Sequence, residues 1–235
     1  MNRVLLSVMI FFFGLTGIAG AALIDRGGGL IYDTELNITW LQDANISGQM
    51  TWTQAMNWAG NLEYYDSVRN VTWTEWRLPQ ILPINGTSYN YNYLFDGTSD
   101  KGYNISAPGS TYSGNTGSEM AYMFYNNLGN KGYCDFTGEG GQPGWGLKNT
   151  GPFINLQPDL YWSSLVYNII DPNMAFYFNF NGGDQSGNYL DRYYYAWAVR
   201  DGDVTPVPIP GAIWLFGSGL AGIIGFKKLK RNRQS

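Results

Sequence analysis

The chain has 235 residues, with 14 Lys and Arg, 18 Asp and Glu, a single Cys and no His. Without histidine there is no Ser-His-Asp or Cys-His catalysis, and no zinc site built on His or paired Cys. One cysteine cannot close an intramolecular disulfide, so Cys134 is expected as a small buried hydrophobe.

The first 21 residues place Arg3 ahead of an apolar run from Val4 to Leu15, followed by the small residues Ala19, Gly20 and Ala21. That order is the pattern of a secretory signal peptide cut after Ala21. Residues 22–205 have the length of one domain. One of the 14 basic residues precedes this stretch and five follow it, so eight face all 18 acidic ones, a net charge of −10. Such a surface repels nucleic acid and other polyanions. Aromatic residues, 17% of the chain, supply enough apolar mass to build a core rather than a disordered tether.

Within the domain, "GGGLIYDTELNITWLQDAN" predicts a β-hairpin with Leu30 and Tyr32 facing Ile38 and Trp40 across a polar turn. Next, "TWTQAMNWAGNL" predicts a helix with Thr51 as its cap. Its core stripe runs through Trp52, Ala55, Met56, Ala59 and Leu62, and Gly60 lies near its end. The segment "WTEWRLP" runs from Trp73 and is ended by Pro79. Residues 85–118 are rich in Gly, Ser, Asn, Thr and Tyr and read as long loops. They include the Asn104-Ile105-Ser106 triplet, which like Asn37-Ile38-Thr39 has the form of a glycan acceptor and is expected by chance in so Asn-rich a chain.

A second helix is predicted over "SEMAYMFYNNLGN". Ser118 is its cap and Glu119 lies in its first turn. Met120, Met123, Phe124 and Leu128 form its stripe, and Gly129 stops it. "GEGGQPG" at 138–144 lacks the lysine and spacing of a phosphate loop and reads as turns. The last third is β. A strand starts at "YWSS", and "AFYFNF" alternates with Phe176, Phe178 and Phe180 on one face. After a turn at Asn181-Gly182-Gly183 and a loop, "YYYAWAVR" returns with Tyr193, Tyr195, Trp197 and Val199 on one face. The predicted fold class is α+β, with two helices, antiparallel β-structure split between the two ends of the domain, and long loops.

The loop between those strands holds Asp184, Gln185, Asn188 and Asp191 and leads to Tyr193. These are candidate ligand-binding residues: amides and carboxylates pair with sugar hydroxyls, and aromatic faces stack on sugar rings. The same oxygens suit Ca²⁺, but their spacing matches no calcium-loop pattern, so no cofactor and no metal is predicted. An ordinary solvated loop has the same composition.

The chain closes on "VPIPGAIWLFGSGLAGIIGFKKLKRNRQS". From Ile209 to Phe226 there is no charged side chain, a run of about 18 residues that as a helix spans roughly 27 Å, enough to cross a bilayer core. Trp214 sits near its front end, and Lys227, Lys228, Lys230, Arg231 and Arg233 follow at once. A C-terminal transmembrane helix with a cytoplasmic basic stop is expected over about 209–226 and 227–235.

The segments "GLIYDTELNITWLQDAN", "TWTQAMNWAGNL", "WRLP", "YWSS", "AFYFNFNGG" and "YYAWAVRDGD" resemble, in order, the landmarks of the Lcl C-terminal domain, named after the end of a bacterial collagen-like adhesin. The resemblance covers about residues 29–203. It implies a fold similar to the C-type-lectin-like and formylglycine-generating-enzyme domains, with a long-loop region on one side. The tail, 206–235, resembles the PEP-CTERM sorting signal of Gram-negative bacteria: Val207, Pro208 and Pro210, then a helix opening on Trp214, with Ile209 where the naming motif has glutamate. This implies an exosortase as partner, with the domain anchored at the inner membrane on its periplasmic side and then passed to the cell surface or extracellular matrix.

The expected function is therefore an exported, non-catalytic, adhesive or biofilm-matrix protein that binds carbohydrate. The adhesin namesake suggests sulfated polysaccharides, but a net charge of −10 favours neutral ones. Two alternatives stay open: a structural surface protein without a specific ligand, and a carboxylate-dependent polysaccharide-processing enzyme.

Overall fold

In the computed structural model, residues 23–167 and 171–204 are described. The expected signal peptide (1–21), the sorting residues Val207, Pro208, Pro210 and Trp214, and the basic stop from Lys227 to Arg233 lie outside them. Among the described residues no helix is long and apolar enough to cross a membrane.

The described chain is mostly β-sheet with two short helices, an α+β arrangement. It opens with β1 (Leu23–Gly27), β2 (Leu30–Asp33), β3 (Ile38–Leu41) and β4 (Gln49–Met50), then α1 (Trp52–Gly60). Next come β5 (Tyr64–Asp66), β6 (Val71–Trp73), β7 (Tyr93–Leu94), β8 (Lys101–Gly102) and α2 (Glu119–Tyr122), which runs on into a π-helical turn at Met123–Asn127. The last third contributes β9 (Leu160–Val166), β10 (Met174–Asn179), β11 (Gln185–Tyr189), β12 (Tyr194–Tyr195) and β13 (Val199–Asp201).

The predicted first hairpin is β2–β3, with Asp33 Oδ1 accepting the Glu35 and Leu36 amides at 3.1 Å each in its turn. Its face assignment needs correction. Tyr32 pairs with Thr39 and Ile31 with Trp40, so Leu30 and Tyr32 do not share a face with Ile38 and Trp40. Both faces are covered, since Leu30 and Ile31 are each fully buried, and alternation cannot then decide the register. β13 pairs with β3, giving the order β1-β2-β3-β13, so the sheet is indeed split between the two ends of the sequence. One row of partners reads Leu23, Asp33, Ile38, Asp201, which brings the first and last described strands out at the same end of the sheet.

The second sheet has seven strands in the order β4-β12-β9-β10-β11-β8-β7. Phe176, Phe178 and Phe180 lie buried, as the alternation of β10 predicts. The returning strand does not. What reads as a loop after Asn181-Gly182-Gly183 is β11, paired with β10 along its length from Phe178–Gln185 to Met174–Tyr189. "YYYAWAVR" divides between two sheets: Tyr194 and Tyr195 pair with β4, Val199 pairs with β3, and Ala196, Trp197 and Ala198 cross buried between them.

α1 is capped as expected. Thr51 Oγ1 accepts from the Gln54 amide, and the Gln54 side chain accepts in return from the Thr51 amide, a capping box. Its Ala55 and Ala59 pack with Trp162, Ala175 and Leu78, covering one face of the large sheet. Between the sheets, Trp40, Phe153, Tyr161, Phe180 and Trp197 form one aromatic cluster, with the Trp40 and Trp197 rings 4.4 Å apart. Each such pair adds about 0.5–1.5 kcal/mol beyond its burial. Ser118 caps α2 by accepting the Ala121 amide, and Met120, Met123, Phe124 and Leu128 are buried as the stripe predicts. Cys134 is also buried.

Candidate functional site

The five predicted binding residues separate along β11. At its start, Asp184 is only 7% exposed and its Oδ1 accepts from Asn179 Nδ2 at 2.8 Å. Burial pushes the Asp184 carboxyl above its usual range, against the pull of Asn179. Gln185 is fully buried: its Oε1 accepts from Ser118 Oγ at 2.6 Å and its Nε2 donates to the Asp100 carbonyl at 2.8 Å. Both are structural ties. Asn188 Nδ2 donates to the Tyr194 hydroxyl at 2.6 Å. Past the other end of β11, Asp191 and Tyr193 are exposed. Asp191 lines a shallow hollow of about 300 Å³ with Asn173, Tyr189, Leu190 and Arg192.

A larger pocket, about 370 Å³, lies between the loop around Asn104–Pro108 and the loop from Gly129 to Gln142. The π-helical turn supplies its floor. There Tyr125, 3% exposed, donates its hydroxyl to the Gly183 carbonyl at 2.7 Å and accepts the Asn104 amide at 3.0 Å. Asn104 holds a left-handed backbone, φ 58°, which asparagine tolerates better than most residues. Its Nδ2 ties two loops together by donating to the Phe95 carbonyl at 2.7 Å and the Cys134 carbonyl at 3.1 Å. Asn130 fixes the next segment, accepting the Lys148 and Asn149 amides. Gln142 Nε2 donates to the Gly132 and Cys134 carbonyls at 2.6 and 2.9 Å. Asp135 Oδ1 gathers Thr137 N, Thr137 Oγ1 and the Glu139 amide, and these bonds hold its carboxyl below the usual range.

These ties consume only part of each side chain. Asn104 Oδ1, Gln142 Oε1, Asp135 Oδ2 and Lys131 Nζ have no hydrogen-bond or ion-pair partner among the described residues. Asn104 is only 4% exposed and lines the pocket, so a buried amide with a spare acceptor belongs to the wall. Ala107, Pro108 and Phe136, the last 44% exposed, give the rim an apolar side. Acceptors beside an apolar face suit hydroxylated rings. No sequence signal marks these residues, because they stand in two turn-rich loops far apart in the chain.

Several other carboxylates and cations of the domain are engaged elsewhere. Asp33, Asp66 and Asp100 cap loops through backbone amides, and Glu119 holds Arg77. Arg26 pairs with Asp203 and Arg69 with Asp66, while Arg200 lies over Trp73 and Lys101 over Tyr167. Among the described residues no group of acidic, His or Cys side chains is arranged to hold a metal. No protein-family model, curated protein or solved structure matches this chain.

Proposed function

We propose that this chain is an exported bacterial protein whose lectin-like domain binds polysaccharide in the pocket between the Asn104 and Gln142 loops, without catalysing turnover. The observation that carries the reading is the set of unfilled acceptors, Asn104 Oδ1, Gln142 Oε1 and Asp135 Oδ2, beside the apolar edge of Pro108 and Phe136. Long loops gathered on an α+β scaffold agree with the C-type-lectin-like fold implied by the sequence landmarks. The pocket lining supports binding over chemistry, since a glycosidase needs two carboxylates flanking one bond and, among the described residues, Asp135 is the one carboxylate of that lining. The dispersal of cations into separate internal contacts favours a neutral glycan over a sulfated one.

Delivery rests on the two ends of the sequence. The signal peptide takes the domain across the inner membrane, the apolar run near 209–226 anchors it on the periplasmic side, and an exosortase passes it to the surface or matrix. Binding of the full-length chain, in non-ionic detergent, to a panel of neutral and sulfated polysaccharides tests the first half. Phe136→Ala and Gln142→Ala should each weaken binding about tenfold, and absence of binding to every polysaccharide removes the lectin reading. Recovery of uncut chain from the cytosol removes the second half.

A further inference from the structure

The unfilled groups of the pocket are unbalanced. Three acceptor oxygens, on Asn104, Gln142 and Asp135, stand against the single cation Lys131, which is exposed on the lining. A ring hydroxyl offers one donor and accepts as well, and an acetamido group offers one donor and one acceptor oxygen, whereas an ammonium offers three donors and no acceptor. The excess of acceptors on the wall therefore suits an ammonium, which brings donors alone. Asp135 completes the match, because Thr137 and Glu139 occupy only Oδ1 and keep the carboxyl ionised with Oδ2 free.

The surroundings have the same sign. Cys134 precedes Asp135 of the pocket lining, and its carbonyl accepts from Asn104 and Gln142. Its thiol is pushed up first by burial, against the pull of Tyr103, and further by the carboxylates of Asp184, Asp135 and Glu139. Over the whole domain, 18 acidic residues face eight basic ones, and most of those eight are already held by carboxylates or aromatic faces. A polycation is thus drawn toward the domain before it meets the pocket.

We infer that the pocket selects an amino-sugar polymer carrying free amines, with Asp135 Oδ2 and Asn104 Oδ1 receiving the ammonium. This deepens the glycan reading and depends on it. The probes are a glucosamine hexamer and the same hexamer fully N-acetylated, titrated into the full-length chain in non-ionic detergent. Asp135→Asn is the decisive variant, because its amide oxygen can still accept from Thr137 and Glu139 while the charge is gone. The free-amine hexamer should bind about fivefold or more tighter than the acetylated one, with a preference that shrinks as salt rises. Asp135→Asn should bring the two within about twofold. Equal binding of the two hexamers by the unaltered chain overturns the inference and leaves the glycan reading in place. So does a preference that survives Asp135→Asn, or tetralysine binding as tightly as the glucosamine hexamer. Binding of neither hexamer, together with none of the polysaccharide panel, overturns both.

Discussion

Arg77 and Glu119 form a two-point ion pair: the Nη1 and Nη2 groups of Arg77 donate to Oε2 and Oε1 of Glu119, each at 2.8 Å. Glu119 is 2% exposed and opens α2, while Arg77 bridges to Val199 of β13. The pair therefore joins the second helix to the strand that closes the terminal sheet. Burial pulls the Arg77 guanidinium down, but Glu119 and then Asp201 outweigh it and leave it fixed in the charged state. Arg77→Ala strands a buried carboxylate and should cost about 3–5 kcal/mol in urea unfolding. Arg77→Lys, which cannot form the fork, should recover only part of that loss. Asp201, whose side chain is 81% exposed, bonds the same guanidinium at 2.6 Å, yet Asp201→Ala should cost less than about 1 kcal/mol.

Tyr125 tests whether the π-helical turn shapes the pocket. Its hydroxyl is bonded on both sides, to the Gly183 carbonyl and the Asn104 amide, and the side chain is 3% exposed. Tyr125→Phe leaves both partners unpaired and should destabilise the fold by about 1–3 kcal/mol. Because the freed amide belongs to Asn104, sugar binding should weaken even under conditions where circular dichroism shows the variant folded. Unchanged affinity in a folded Tyr125→Phe chain would separate the tyrosine from the site.

Much of the scaffold is legible from local pattern, and the failures share a cause. α1 is read from its cap and stripe, and β10 from three phenylalanines in alternation, because in both the buried face is apolar. β11 has no such face. Its sequence, Gln-Ser-Gly-Asn-Tyr, is held by pairing to β10 and by Gln185 bonding across to Ser118 and Asp100, partners 67 and 85 residues away. Sequence patterning records burial of carbon and not burial satisfied by hydrogen bonds. The pocket fails the same test: Asn104, Asp135 and Gln142 meet only because Tyr125, Asn104 and Gln142 tie distant carbonyls together. Asp184 and Gln185, chosen for their polar chemistry, spend that chemistry inside the fold.

Gly102 is the point where three strands meet, opposite Leu94 of β7 and Gln185 of β11. Its φ is +123°, and a Cβ there would stand 1.8 Å from the Leu94 carbonyl oxygen. Neither backbone can yield without breaking the bond from the Tyr103 amide to that same oxygen, 2.9 Å long. Gly102→Ala should cost at least about 3 kcal/mol. Hydrogen exchange at the Tyr103 amide should rise before exchange at β2–β3 does. Full protection at Tyr103 in the variant would show that the edge absorbs the methyl.

Buried carboxylates give the domain a pH dependence with a definite sign. Burial raises the carboxyls of Asp33, Asp100 and Asp184 above 3.8, so between that value and their folded values the native state holds protons that the unfolded chain has released. Stability therefore falls as pH rises through this window, and at neutral pH the whole cost is present. Asp66 behaves oppositely. Burial works against its charge, but Arg69, Trp73 and two backbone amides together bring its carboxyl below 3.8, so its contribution is present above 3.8 and lost at lower pH. The melting temperature should thus be higher near about pH 4.5 than at about pH 7, and should fall again below about pH 3. Asp184→Asn keeps an oxygen for Asn179 and removes one buried charge. It should raise stability at neutral pH and reduce the gain on mild acidification. A variant less stable than the parent at neutral pH would mean that the Asp184 charge is an asset where it stands.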